Sequence, residues 1–276
     1  MHEPATHWGT RLIAFVAAMV MFVSIGVFLY GDFRPLSLLG LDSGSSDWAP
    51  MMGQRNSPTP GLDEGPEPLG VPAPLTELSS SYVFLHYNEG MPVSYSPCRP
   101  IHYVVNTDEA PPGSDALIDA AVRRISEASG FRFVFNGQVD ERPAMDRASF
   151  QPNRYGNTWA PVLISWTDPE TIPELSGDTV GIGGSTRVKH SSGHVGYVSG
   201  QVSLDSPQIR KIIRTPGGSA RAIAVILHEL AHVLGLGHVP DPSQLMFEHG
   251  TTLRDFGPGD LTGLARLAEA PCTRVL

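Results

Sequence analysis

The pattern of apolar and polar residues divides the chain after residue 100 into short strands and longer helices. Alternating or continuous apolar runs predict strands at 101–106, 131–137, 161–168, 178–186 and 196–205. Apolar residues at helical spacing predict helices at 114–130, 219–235 and 258–270. A strand, a helix and several strands followed by further helices form an α+β pattern.

Capping residues set the expected helix ends. Ser114 fits the N-cap of the first helix, and Gly130 fits the position just past its end. The second helix should begin near Ser219, after the helix-breaking run TPGG, and end at Gly235. Asp260 is the expected N-cap of the closing helix.

The N-terminal part of the chain has a different composition. An uncharged apolar run at 12–30 would reach about 28 Å as a helix, close to the thickness of a bilayer's hydrocarbon core. No good cleavage site follows, which favours a signal anchor with a short cytoplasmic tail at 1–11 over a cleaved signal peptide and a secreted protein. A stretch rich in Pro, Gly and Ser predicts a disordered linker at 31–80. The folded domain is then 81–276.

Charge and cysteine content narrow the function classes. The chain has 276 residues and a formal net charge of −9, without a basic stripe, which argues against nucleic-acid binding. Its two cysteines, Cys98 and Cys272, are expected to form a disulfide if the domain is extracytoplasmic. In a cytosolic protein, two buried thiols would be the better interpretation. Nothing in the sequence indicates an oligomeric state.

The strongest chemical signal is HELAHVLGLGH at residues 228–238. His228 and His232 lie four residues apart, so on a helix they project from one face and can bind the same ion. Gly235 permits the chain reversal that would return His238 to that ion. Three imidazoles leave a fourth tetrahedral position open, as in catalytic zinc sites. Glu229 points away from the ligand direction and suits a base that acts on water.

The alternative is that these histidines belong to an ordinary amphipathic helix. A five-residue HExxH motif arises by chance, but here the spacing fixes three ligands, a base and a turn together. Ionisable groups in a run as apolar as AVILHELAHVLGLG would also be costly without a partner. The zinc interpretation is therefore favoured.

This extended motif resembles the zinc signature of the metzincin metallopeptidases, which also place a methionine turn beneath the metal. The candidate is Met246, eight residues after His238, and this spacing looks most like the matrixins. Astacin-like and adamalysin-like members usually carry an acidic residue where Val239 stands. The resemblance implies a metzincin-like catalytic domain with a twisted, mostly parallel sheet, a zinc-binding helix and a C-terminal helix. It also implies that the edge strand at 178–186 pairs with a peptide substrate.

Several features depart from the family. Neither cysteine matches a prodomain cysteine switch, and Phe247 stands where relatives often have tyrosine. Calcium is compatible with the family, but no motif supports it. His190 and His194 could form a second metal site, but the missing acidic partners favour solvated loop histidines.

The resulting hypothesis is a membrane-anchored, extracytoplasmic zinc endopeptidase that hydrolyses protein or peptide substrates. His228, His232 and His238 would hold one Zn²⁺, Glu229 would act as general base, and Met246 would form a hydrophobic floor. Two alternatives stay open. One is a non-catalytic, zinc-stabilised cell-surface binding module, and the other is a structural envelope protein with a fortuitous motif.

Overall fold

A five-stranded sheet with helices packed on it forms the centre of residues 57–276, the part of the chain that the computed structural model describes. The strands and helices of this part are, in chain order, β1 (Val83–Phe84), β2 (Tyr87–Asn88), β3 (Met91–Pro92), β4 (Ile101–Asn106), α1 (Ser114–Ser129), β5 (Phe133–Gln138), α2 (Pro152–Tyr155), β6 (Val162–Thr167), β7 (Gly181–Lys189), β8 (Val195–Asp205), α3 (Ser206–Ile213), α4 (Gly218–Leu234), β9 (Leu236–Gly237) and α5 (Pro258–Leu267). The predicted α+β class is confirmed.

The sheet has the order β5-β4-β6-β8-β7. Its strands are parallel except for β7, which runs antiparallel to β8 at one edge. All six residues of β6 are buried, as its continuous apolar sequence predicts for a strand covered on both faces. The predicted mostly parallel sheet is confirmed. The edge strand begins three residues later than predicted and continues to Lys189.

Helices cover one face of the sheet. Ile164 and Trp166 of β6 pack in the main hydrophobic core together with apolar residues of α1 and α4, such as Ile125 and Leu230. Burial of these side chains is the main favourable term that holds the zinc-site helix α4 against the sheet.

The other face of the sheet is covered by the segment that joins β5 to β6. Buried Arg147 in this segment forms an ion pair with buried Glu141, at 2.9 Å, and donates to the carbonyl of Gly200 in β8, at 3.0 Å. Burial alone would raise the pKa of Glu141, but hydrogen bonds from Arg147, Tyr155 and Gln151 keep it below its usual value. A charge buried in this way is tolerated because its hydrogen bonds are satisfied.

The structure changes one of the capping predictions for α1 and contains a further helix, α3. Gly113, and not Ser114, occupies the N-cap of α1, and no side chain caps that end. Gly130 ends the helix in a left-handed conformation, as predicted. Helix α3 was not predicted, although Asp205 marks its start, where the carboxylate accepts a hydrogen bond from the N–H of Gln208 at 2.8 Å.

Part of the predicted linker is packed on the domain. The N–H of Gly65 donates to the carbonyl of Cys98 at 2.7 Å. The N–H of Ala73 donates at 2.9 Å to a carbonyl near the end of α1. Residues 57–80 therefore form a strap along the domain, and the predicted boundary at residue 81 is wrong for this part. Its Pro, Gly and Ser content suits an extended segment whose backbone pairs with neighbouring carbonyls.

The disulfide lies where the strap meets the last residues of the chain. Cys98 and Cys272 are bridged, with their Cα atoms 5.4 Å apart. Beside the bridge, the carboxylate of Glu64 in the strap accepts a hydrogen bond from the N–H of Thr273 at 2.9 Å. The bridge therefore ties together two segments that are 174 residues apart in sequence.

The membrane anchor predicted at 12–30 and the linker residues 31–56 lie outside the described residues. Within residues 57–276, no helix combines the length and the apolar character needed to cross a membrane. The anchor, with its cytoplasmic tail, stays a prediction.

Candidate metal centre

The centre is built at the C-terminal end of α4. His228 and His232 lie one turn apart on this helix, which ends at Gly235 with a φ of 120°. A Cβ at Gly235 would lie 3.1 Å from the ring of Tyr197, so only glycine combines this conformation with this close packing. The chain then reverses through β9 and brings His238 back to the helix, as the sequence predicts.

The three imidazoles converge on one point. The Nε2 atom of His228 lies 3.0 Å from that of His238, and the Nε2 atom of His232 lies 3.1 Å from each of the other two. Zinc–nitrogen bonds of about 2.0–2.1 Å at tetrahedral angles place two ligand nitrogens about 3.3 Å apart. The triangle of nitrogens therefore has the size that a zinc ion requires.

The Nδ1 atoms of His228 and His232 show that the short distances between Nε2 atoms are not simple hydrogen bonds. The Nδ1–H of His228 donates to the carbonyl of Leu245 at 2.9 Å, and that of His232 donates to the carbonyl of Leu236 at 2.7 Å. In a neutral imidazole the other nitrogen then carries a lone pair and no proton. Lone pairs directed at one another repel unless a cation lies between them, so these residues fit a metal ion. The two carbonyls also fix the orientation of the rings.

Burial favours the neutral, metal-binding form of the histidines. It lowers the pKa of His228 to about 4 and lowers the pKa of His232 well below its usual value. It also lowers the pKa of His238, although the nearby carboxylate of Glu248 opposes this effect. No proton therefore has to leave these rings before they bind a cation at neutral pH.

The turn that contains Met246 is hydrogen-bonded to two parts of the centre. Met246 is 1% exposed, and its carbonyl accepts a hydrogen bond at 2.9 Å from the N–H of Val239, the residue after His238. We call residues 244–247 the methionine turn. It contributes two carbonyls to the centre: that of Leu245, which holds His228, and that of Met246, which holds the chain beside His238.

Asp260 has a larger role than the N-cap predicted for it. The residue before α5 is Gly257, so the cap position is wrong by three residues. The buried carboxylate of Asp260 accepts hydrogen bonds from the N–H groups of Gly257 at 2.9 Å and Leu245 at 2.6 Å, and more weakly from that of Met246 at 3.4 Å. It thereby fastens the methionine turn to the closing helix.

Comparisons with known proteins give a sequence relative over part of the chain and partial likenesses to solved structures. No family model matches the chain. A probable matrix metalloproteinase of Invertebrate iridescent virus 3 is 35% identical over 75 residues, which are 26% of this chain and 21% of that protein's length. An archaemetzincin from Methanopyrus kandleri aligns with a TM-score of 0.40 at 16% identity, over 61% of this chain and 95% of that one. High choriolytic enzyme 1, a hatching enzyme zinc-protease from the medaka Oryzias latipes, aligns with a TM-score of 0.32 at 17% identity, over 72% of this chain and 100% of that one.

The predicted resemblance to the metzincins is confirmed. It rests on the convergence of His228, His232 and His238 and on the matrix metalloproteinase relative. Within residues 57–276, these histidines form the one cluster of three or more metal-binding side chains. The cofactor that this centre accommodates is Zn²⁺.

The edge strand β7 packs directly on Glu229. A Cβ at Gly181 would lie 2.8 Å from the Cγ of Glu229, and a Cβ at Gly183 would lie 2.2 Å from its carbonyl oxygen. Two residues further along β7, the hydroxyl of Ser185 donates to the carbonyl of Val233 in α4 at 2.7 Å. One face of β7 is thus glycine, glycine and serine, which lets the strand lie against the zinc helix.

The position of β7 also determines the environment of Glu229. The side chain is 6% exposed, and burial raises the pKa of its carboxyl to about 8, while a hydrogen bond from the backbone of Gly183 opposes the rise. A nearby dication would favour the carboxylate form further. Glu229 therefore lies in a setting where its proton affinity can be matched to neutral pH.

The two loop histidines do not join the centre. His190 lies in the turn between β7 and β8, where its Nδ1 is 2.9 Å from the hydroxyl of Ser192. Its N–H donates to the carbonyl of His194 at 2.8 Å, which closes the hairpin. This backbone pairing is a structural role for the turn.

Proposed function

We propose that the protein is a zinc-dependent endopeptidase that hydrolyses peptide bonds of extracytoplasmic proteins. The observation that carries this proposal is the convergence of three imidazoles at the end of α4, the helix that also carries the buried Glu229 next to His228. The three histidines leave a tetrahedral position free for water or substrate, which distinguishes catalytic from structural zinc sites.

Each residue of the centre has a separate role in the proposed hydrolysis. His228, His232 and His238 would hold the ion, which when bound lowers the pKa of water toward 7 and polarises a carbonyl oxygen. Glu229 takes a proton from the attacking water and then delivers it to the nitrogen of the leaving amine. Met246, which is buried in the core, would form a hydrophobic floor to the centre and contribute no ligand atom.

The free edge of β7 would bind the substrate backbone. Within residues 57–276, the strand that pairs with β7 is β8 on one side, so the other side could accept an extended peptide by β-augmentation. Because β7 crosses α4 at Glu229, a peptide added there would lie close to both the base and the metal ligands.

The test is a metal and cleavage assay on the purified, detergent-solubilised full chain. We expect about one zinc per chain by elemental analysis, cleavage of an unfolded protein such as casein, and loss of cleavage on chelation that added zinc restores. A non-catalytic, zinc-stabilised binding module would contain the zinc but cleave nothing. Cleavage without bound metal would contradict both interpretations.

We further propose that residues 12–30 anchor the protein in a membrane, with the catalytic domain on the extracytoplasmic side. The disulfide between Cys98 and Cys272 supports an oxidising compartment. The protein should sediment with membranes and resist extraction with alkaline carbonate, while a protease added outside the cell should reach the domain. A mature protein that begins just after residue 30 would indicate a cleaved signal peptide and secretion.

A further inference from the structure

An exposed carboxylate, that of Glu248, lies beside the metal centre. The N–H of Glu248 donates to the carbonyl of Val239 at 3.2 Å, immediately after the metal-binding His238. The side chain is 44% exposed, and its charge acts on the imidazole of His238. Glu248 therefore places a negative charge in solvent at the rim of the centre, on the side of the methionine turn.

The loop that carries Glu248 is fastened at both ends. At its start, Val239 and Phe247 form a parallel β-bridge. At its far end, the guanidinium of Arg124 on α1 donates from Nε to both carboxylate oxygens of Asp255 at 2.8 Å and lies 5.8 Å from the ring centre of Phe256. These contacts restrict the positions that the loop can adopt, so the charge of Glu248 stays close to the centre.

The carboxylate of Glu248 contacts a weakly basic neighbour in the same loop. Within residues 57–276, its ion-pair partner is the exposed imidazole of His249, at 3.2 Å. Arg254, in the same loop, donates instead to the loop carbonyl of Leu253, at 2.9 Å. Glu248 therefore offers an exposed carboxylate, held beside an imidazole, to a basic group of a ligand.

We propose that Glu248 is a specificity-determining residue, which favours substrates with a lysine or arginine next to the scissile bond. This inference rests on the proposed peptidase function. A peptide whose scissile bond lies at the metal ligands would bring the flanking side chains close to residues 245–248, because Leu245 contacts His228 and Glu248 contacts the residue after His238. A basic side chain there can pair with Glu248, whereas an acidic one meets a like charge.

The experiment compares peptides that differ only at the residues flanking one scissile bond. Fluorogenic peptides carry Lys, Leu or Glu immediately before or immediately after that bond, and kcat/KM is measured at pH 8. We expect the Lys peptide to exceed the Leu peptide by about two- to fivefold in at least one series, the range that exposed ion pairs give. The Glu peptide should fall below the Leu peptide.

Variants test whether the charge of Glu248 causes the preference for Lys. Glu248→Gln should remove the preference for Lys, and Glu248→Lys should transfer it to the Glu peptide. The matched control is Glu269→Gln, which makes the same charge change at an exposed position beyond the far end of α5. This control should retain the parent preference.

A binding measurement separates failure of the charge preference of Glu248 from failure of the proposed peptidase function. In the Glu229→Gln background, peptide binding followed by fluorescence anisotropy should show the same order of Lys, Leu and Glu without turnover. Cleavage with no charge preference, or a preference that survives Glu248→Gln, would overturn the role of Glu248 alone. Failure of the parent enzyme to cleave any peptide would overturn the proposed function and this inference together.

Discussion

Replacement of Glu229 by glutamine is expected to abolish most peptidase activity while zinc stays bound. Glutamine keeps the volume and polarity of the side chain but cannot take a proton from water. General acid–base catalysis is typically worth about 10²–10⁴-fold, so kcat should fall by at least that order. The three Nε2 atoms that form the metal centre belong to other residues, so zinc content by elemental analysis should stay close to one per chain.

His238→Ala is the matched comparison for this variant, because it removes one of three ligands and leaves the base in place. Zinc affinity should fall, and added zinc should partly restore activity. Zinc loss in Glu229→Gln together with zinc retention in His238→Ala would reverse the assignment of ligand and base. If both variants cleave as well as the parent, the proposed peptidase function is wrong.

The metal centre could be predicted from sequence because its ligands are set by local geometry. His228 and His232 share a helix face by periodicity alone, and the conformation that Gly235 permits returns His238 to them. All of these residues lie within one helix and one turn. Helical spacing and a helix-ending glycine are among the most dependable signals in a sequence.

The groups that hold the ligands could not be predicted in this way. The carbonyl of Leu245 orients His228, but a backbone carbonyl leaves no mark in the sequence. Asp260 looks like a cap because it lies close to a helix start, and its bond to the N–H of Leu245 depends on the fold of the intervening loop. Contacts of this kind can be seen only in the tertiary structure, because they join residues whose proximity the sequence does not show.

For the strap at 57–80, composition alone led to a wrong prediction. Its Pro, Gly and Ser content is typical of linkers, yet its backbone makes hydrogen bonds with the domain, such as that of Gly65 to Cys98. Composition reports that a segment cannot form a core of its own. It carries no information about carbonyls elsewhere in the fold that remain available to pair with an extended segment.

Gly183→Ala is the second variant for which we expect a large effect, because it tests the contact between the edge strand and the zinc helix. The added methyl group would lie 2.2 Å from the carbonyl oxygen of Glu229 and 2.9 Å from its Cα. These are backbone atoms of α4, a helix packed in the core, so β7 must move away from it. Overpacking of this kind typically lowers the free energy of unfolding by about 1–3 kcal/mol.

The displacement should also affect function, since β7 is the proposed peptide-binding edge and the Gly183 backbone contacts Glu229. We expect a lower melting temperature and a kcat/KM reduced by about tenfold or more, as small misplacements in active sites commonly produce. The control is Gly184→Ala, where the added methyl group meets no atom within 4 Å. It adds the same group one residue along the same strand, so its melting temperature and kinetics should stay near those of the parent. Equal losses in the two variants would show that β7 is sensitive to any side chain and that its close approach to Glu229 is not the cause.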